Sequence, residues 1–301
     1  MNRAEVLDLL GEKTALERMI AETPAEDVID RASLAARLEA VEKALVVAKP
    51  DEREPAKVRL TFKGRPVIGS QGIFVELGMK AVSGFADSVT AMAASLSAPL
   101  AAMGPIPNRD QHPLLITSTA LGSFGFELEE HRTGQLTLGD GSAVAQALER
   151  TQTLLRGSQG TDDELADAAA EVDRRALEKV RGFLQVLADS EAVCTVQLGD
   201  STVSFRDVGQ VRTSIERLSQ ENLHEETLQI EGELQGVLPK ARVFEFRLGD
   251  SSVIRGKISP SVRDPDLLNR ELHRRTAIHV MVTRVGNGPP RYLLLDAPPS
   301  G

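Results

Sequence analysis

The chain has 301 residues, of which 41% are hydrophobic and 26% charged, with a net charge of −9. Such a balance is that of a globular protein long enough for two or three units, and it excludes a generally basic coat that would gather nucleic acid or anionic lipid. One cysteine, Cys194, rules out an internal disulfide and a cysteine zinc cluster.

The start, "MNRAEVLDLLGEK", carries early acids and no long apolar stretch, so it does not read as a signal peptide, and no apolar run reaches the length of a membrane helix. A cytoplasmic protein away from membranes is expected. Residues 4–22 and 31–48 read as two helices. Leu34, Leu38, Val41 and Leu45 recur at coiled-coil spacing in the second, and Val6, Leu9, Leu16 and Ile20 form a rougher stripe on the first. Residues 1–49 are therefore expected to form a helical hairpin that serves oligomerisation. "KPDEREPAK" at 49–57 reads as a linker.

The alternating "KVRLTFKGRPVI" is a strand that enters a loop. From Gly72 onward Ile73, Leu77, Ala81, Phe85, Val89, Met92 and Leu96 trace one face of a long helix, 72–96, whose small-residue face invites close approach of another backbone. Residues 99–113 hold four prolines and read as a loop; "LLITSTALGSFGFELEE" is a strand pair or one long strand, with Gly122 and Gly125 marking a bulge or turn. Helices are expected at 142–156, 161–188 and about 207–220, the second opening on the capping box Thr161-x-x-Glu164. A short hairpin at 192–205 completes a mixed α/β middle domain, 57–223.

Beyond Glu226 the texture turns to five strands with a helical segment, "DPDLLNREL", between the third and fourth. Residues 226–297 are expected to form a small OB- or SH3-like β-barrel. The whole chain is thus read as α+β: helical hairpin, mixed body, C-terminal barrel.

Leu-Gly-Asp occurs three times, at 138–140, 198–200 and 248–250. Each copy offers one carboxylate, short of a metal site. Gly-Asp between alternating runs turns a hairpin, and in the first copy Asp140 or Ser142 would cap a helix.

Three groups of residues are the candidates for chemistry. Gly69, Ser70, Gln71 and Gly72 with Arg65 form a glycine-rich loop ahead of a helix; it lacks a phosphate-loop lysine but offers amides to an anion. Arg109, Asp110 and His112 cluster on the proline-rich loop. Residues 226–297 carry eleven Lys/Arg against nine Asp/Glu, a net of +2 where the rest of the chain is −11. Strand alternation puts Arg247, Arg255 and Lys257 on the outer face of the barrel, the face OB modules use for oligonucleotides. Exposed aromatics for base stacking are scarce: there is no Trp and one Tyr, Tyr292.

No catalytic triad, metal spacing or cofactor motif is legible, so no catalytic residue, cofactor or metal ligand is assigned. The sequence reads first as a self-associating interaction or regulatory protein acting with a partner protein. A nucleic-acid-binding protein using Arg247, Arg255 and Lys257 comes second. An enzyme built on the 64–72 loop with Arg109, Asp110 and His112 comes third.

Overall fold

The computed structural model describes residues 3–24, 27–47, 55–120, 124–131 and 142–297. The chain is mixed α+β and divides into two compact units, 1–55 with 131–139 and 56–130 with 140–301.

The first unit holds α1 (Arg3–Glu22) and α2 (Val28–Val47), which pack as a hairpin. Leu16 and Val41 are buried between them, while Leu9, Ile20, Leu34, Leu38 and Leu45 are only half-buried. Ion pairs Lys13–Glu42 (2.8 Å) and Arg37–Glu12 (2.6 Å) flank the seam. Arg31 closes the end of α1 by donating to the carbonyls of Ile20 and Thr23, which have no partner within the helix. The side chain of Val6 lies outside the described residues.

The second unit starts with β1 (Lys57–Gly64), whose period of two buries Val58, Leu60 and Phe62 on one face. A small hairpin, β2 (Val67–Ile68) and β3 (Gly72–Ile73), leads into α3 (Val75–Ser95). Then come β4 (Leu114–Ala120), β5 (Gly125–Glu130), α4 (Ala143–Gln159), α5 (Asp162–Ala169), α6 (Arg174–Asp189), β6 (Ala192–Leu198), β7 (Ser201–Ser204) and α7 (Val208–Arg217). Five of these strands form an antiparallel sheet in the order β4-β5-β1-β6-β7. The helices pack on one face of it, and Leu60, Phe62, Leu128 and Val196 from the sheet meet Leu77, Phe85, Met92, Leu155 and Phe183 in a single core.

The small-residue side of α3 is filled within the chain: the backbone of Phe183 in α6 lies against Gly84, so it offers no surface for a second copy. That helix also starts three residues later than its apolar period suggests, because Gly72 and Ile73 pair with Ile68 and Val67. The expected helix 161–188 is two helices. Thr161 and Glu164 form the anticipated capping box of α5, but Asp173 then caps a new helix, accepting from the N–H of Arg175 (2.8 Å) and from that of Leu100 (2.9 Å) in the proline-rich loop. A stripe whose periodicity is continuous is thus split at a residue that caps α6 and also holds the distant loop.

The C-terminal strands close a barrel: β8 (Leu223–Leu238), β9 (Val243–Leu248), β10 (Val253–Ile258), β11 (Arg275–Val285) and β12 (Arg291–Leu294), with a 3-10 segment Pro265–Glu271 between β10 and β11. The order round the barrel is β10-β12-β11-β8-β9, and only β10 and β12 run parallel. Phe244, Phe246, Leu234, Ile258, Ile278 and Leu294 fill it. The long strands β8 and β11 span two cores: Leu223 and Val285 at one end belong to the body, Leu234 and Ile278 further along to the barrel.

The Leu-Gly-Asp corners at 198–200 and 248–250 are hairpin turns, each by a different means. Gly199 takes φ +55° between Leu198 and Ser201, which pair directly. In the other, Ser251 rather than Gly249 is left-handed (φ +69°), and the Asp250 carboxylate accepts from the Ser252 N–H and hydroxyl. Leu138, Gly139 and Asp140 lie outside the described residues, but Ser142 does cap α4, accepting from the Ala145 N–H at 3.0 Å. Among the described residues no helix is long and apolar enough to cross a membrane.

Candidate functional site

The glycine-rich loop is the tip of the β2–β3 hairpin. Ile68 pairs with Gly72, the Gln71 N–H closes the turn onto the Ile68 carbonyl at 2.9 Å, and Gly69 is left-handed at φ +53°. Phe74 is the N-cap of α3, so the amides of Gly69 to Gly72 lie ahead of the helix rather than in its first turn. Arg65 is exposed beside Glu191, at 3.5 Å.

On the second loop Arg109 donates to Asp87 of α3 at 2.5 Å, and Lys179 of α6 approaches the same carboxylate at 3.7 Å. His112 is half-buried; burial holds its pKa below the ordinary histidine value, and the carboxylates of Glu130 and Asp110 offset this in part. The two loops do not meet. The Phe124 N–H bonds the Gly69 carbonyl just ahead of β5, whereas His112 lies near Glu130 at the far end of that strand. Glu130 is six residues on from Phe124, about 20 Å along the strand at ~3.3 Å per residue.

Arg247, Arg255 and Lys257 do share one outer face of the barrel. Register places Arg247 opposite Val253, Arg255 opposite Glu245 and Lys257 opposite Val243, and directly paired residues point the same way. Each cation has a carboxylate: Arg247 bonds Glu233, Arg255 meets Glu245 at 2.7 Å, and Lys257 meets Glu171 of the body at 3.6 Å. Arg291 on β12, which the strand pattern does not single out, bonds Asp163 and Asp167 of α5; these bonds raise its pKa further. Acidic residues of the body thus meet basic residues of the barrel, a match of opposite charge between two parts of one chain. His279 is solvent-facing and bonded to Asp296 at 3.0 Å. Cys194 is buried, which pushes its thiol far above the usual range and disfavours the thiolate. Among the described residues no three or more His, Cys, Asp or Glu side chains converge as a metal site.

A further feature is an apolar step at the edge of the sheet. The sheet is buried in its middle and opens at β4: Leu60 and Phe62 of β1 and Leu128 of β5 lie in the core, whereas residues 115–119 of β4 are exposed. Ile116 lies opposite the buried Leu128, on the helix side of the sheet, and is nevertheless 56% exposed. On α3, Gly84 faces α6 and Gly78 faces Phe126 of the sheet. At about 100° per residue, Val75 and Met79 project from the side roughly opposite α6. They are 78% and 64% exposed, and Phe74 and Ile68 at the hairpin are exposed as well. Sequence periodicity missed this step because it marks the stripe that packs, Leu77-Ala81-Phe85, and is silent on apolar residues beside it. The one available signal was an uncharged strand, "LLITSTA", next to a helix with apolar residues on two sides.

The chain matches no family model, and no curated protein or solved structure is found to resemble it.

Proposed function

We propose that this is a non-catalytic, self-associating interaction protein, in which the α+β body docks a protein partner and the barrel is held as a rigid appendage. The observation that carries the reading is the exposure of Val75, Met79 and Ile116 on regular elements of the body. Large apolar side chains left uncovered on a rigid scaffold are the kind of surface a partner covers. The half-buried Leu34, Leu38 and Leu45 of the hairpin supply a second surface suited to association. Sedimentation at tens of micromolar tests it. The wild type should form an assembly of at least two chains, and Val75→Glu with Met79→Glu should weaken it without lowering the melting temperature, since both residues are exposed. A wild type that stays monomeric overturns self-association.

One observation favours a second reading, oligonucleotide binding by the barrel. It is supported by a closed barrel of five strands, the number an OB module has, and by Arg247, Arg255 and Lys257 standing on its second and third strands. The carboxylate beside each of them argues for a neutral face, and the reading ranks second for that reason. Salt-dependent titration with labelled DNA and RNA separates the two.

A further inference from the structure

We propose that the groove where the body meets the barrel binds a small zwitterion, a free amino acid with an aliphatic side chain. This site goes beyond partner docking and does not depend on it. The groove lies between the start of α6, the turn that follows α7 and the start of β8, and has a volume of about 190 Å³. That is below the ~300–1,000 Å³ of sites for drug-sized ligands, so its occupant is small. Leu177, Leu218 and Leu223, all members of the body core, form its floor. Arg174 from α6 and Glu225 from β8 bring charges of opposite sign to the same groove.

The two charges do not satisfy one another. Period two in β8 puts Glu225 on the side of the strand that Leu223 occupies, the side turned to the core of the body. Its carboxylate is half-buried there and, among the described residues, takes part in no hydrogen bond or ion pair. Arg174 is close enough to be felt by Glu225 but donates instead to the amide oxygen of Gln220. The nitrogen of that amide donates to Glu178 at 3.1 Å, and Glu178 also meets Arg181 at 3.3 Å. Glu178 is thus engaged on two sides, and Glu225 is the carboxylate left to accept from a ligand.

A half-buried carboxylate without donors lies above its hydrated state in free energy, and burial accordingly holds the Glu225 pKa above the usual carboxylate value. A ligand ammonium supplies those donors as charge-assisted bonds. Arg174 disfavours an occupant that is only a cation, while its planar fork suits a carboxylate. A molecule carrying both groups matches both walls, and its aliphatic side chain lies on the three leucines.

Titration of the full chain with L-leucine, read by calorimetry and by ligand-observed NMR, tests the site. Isocaproate, which lacks the ammonium, and isopentylamine, which lacks the carboxylate, are the contrasts. L-Leucine should bind with a Kd of about 1 mM or tighter. Each contrast should bind about tenfold more weakly or worse, because one charged wall is left without its partner. Glu225→Gln and Arg174→Gln should each weaken L-leucine by about tenfold or more, with unchanged circular dichroism, since each replaces a charge and leaves the core leucines in place. No binding of L-leucine up to ~10 mM overturns the site. Isopentylamine that binds as tightly as L-leucine, and equally well to Arg174→Gln, overturns the zwitterion as the ligand class. Binding of L-leucine that survives both substitutions overturns the groove as the place where it binds.

Discussion

Arg291 on the last barrel strand reaches across to Asp163 of α5, its Nη2 lying 3.0 Å from the carboxylate, while its Nε bonds Asp167 one helical turn further on. A fork of donors matched to two carboxylates at i and i+4 fixes the angle of β12 as well as its charge. Replacing Arg291 with Ala should cost about 1 kcal/mol, because both carboxylates are largely exposed. That corresponds to a drop of roughly 2–4 °C in melting temperature. Amide exchange should rise most around 286–293, where Arg291 also holds the Pro289 carbonyl. A variant with unchanged exchange there would show that the pair does not fix the strand.

Gly125 is a position where no side chain fits. A β-carbon there would lie 1.9 Å from the Leu60 carbonyl oxygen, on the neighbouring strand. Gly125→Ala must push β5 away from β1, breaking the register that holds Leu128 in the core. The loss should exceed about 3 kcal/mol, as backbone clashes in a packed sheet do, and the variant should be recovered mainly as insoluble protein.

Glu225 sits in a groove of the body–barrel junction with Arg174, Ser219 and His224. Burial pushes its pKa above the usual 4.5, with Arg174 offsetting part of the effect. A raised carboxyl pKa means the folded state binds the proton more tightly than the unfolded one. Its contribution is therefore fully present below about pH 4.5 and is lost as pH rises through the folded value. Glu225→Gln should remove that loss, raising the melting temperature by roughly 1–3 °C at pH 7 and leaving it nearly unchanged at pH 4. A larger effect at pH 4 than at pH 7 would contradict the assignment.

Replacing Arg247, Arg255 and Lys257 together with Gln should leave the barrel folded, because ion pairs this exposed contribute little each. If the face is neutral, the wild type shows no salt-steep binding of labelled DNA or RNA in the micromolar range. Tight binding by the wild type that the triple variant loses, with a flatter salt slope, would place oligonucleotide recognition first.

Local chemistry, read along the chain, determined a great deal here. Period-two burial gave β1 and the barrel strands; apolar residues at helical spacing gave the two N-terminal helices; Thr161 with Glu164 and Ser142 gave two helix starts; Gly199 and Asp250 gave corners. These features are set by residues within a few positions of one another, so they are legible without a fold. Tertiary contacts decided the rest. The apolar stripe across 161–188 is continuous, yet the chain breaks it at Asp173, whose carboxylate caps α6 and also takes the N–H of Leu100, many residues away. The barrel cations are neutralised by Glu233, Glu245 and Glu171, two of them on other barrel strands and one in the body, which no spacing along β9 or β10 reveals. The loops at 64–72 and 109–112 look like parts of one site until β5 holds them apart. Periodicity says that a residue is apolar on a given face; only the arrangement of the layers says whether anything covers it, and at Val75, Met79 and Ile116 nothing in the chain's described layers does.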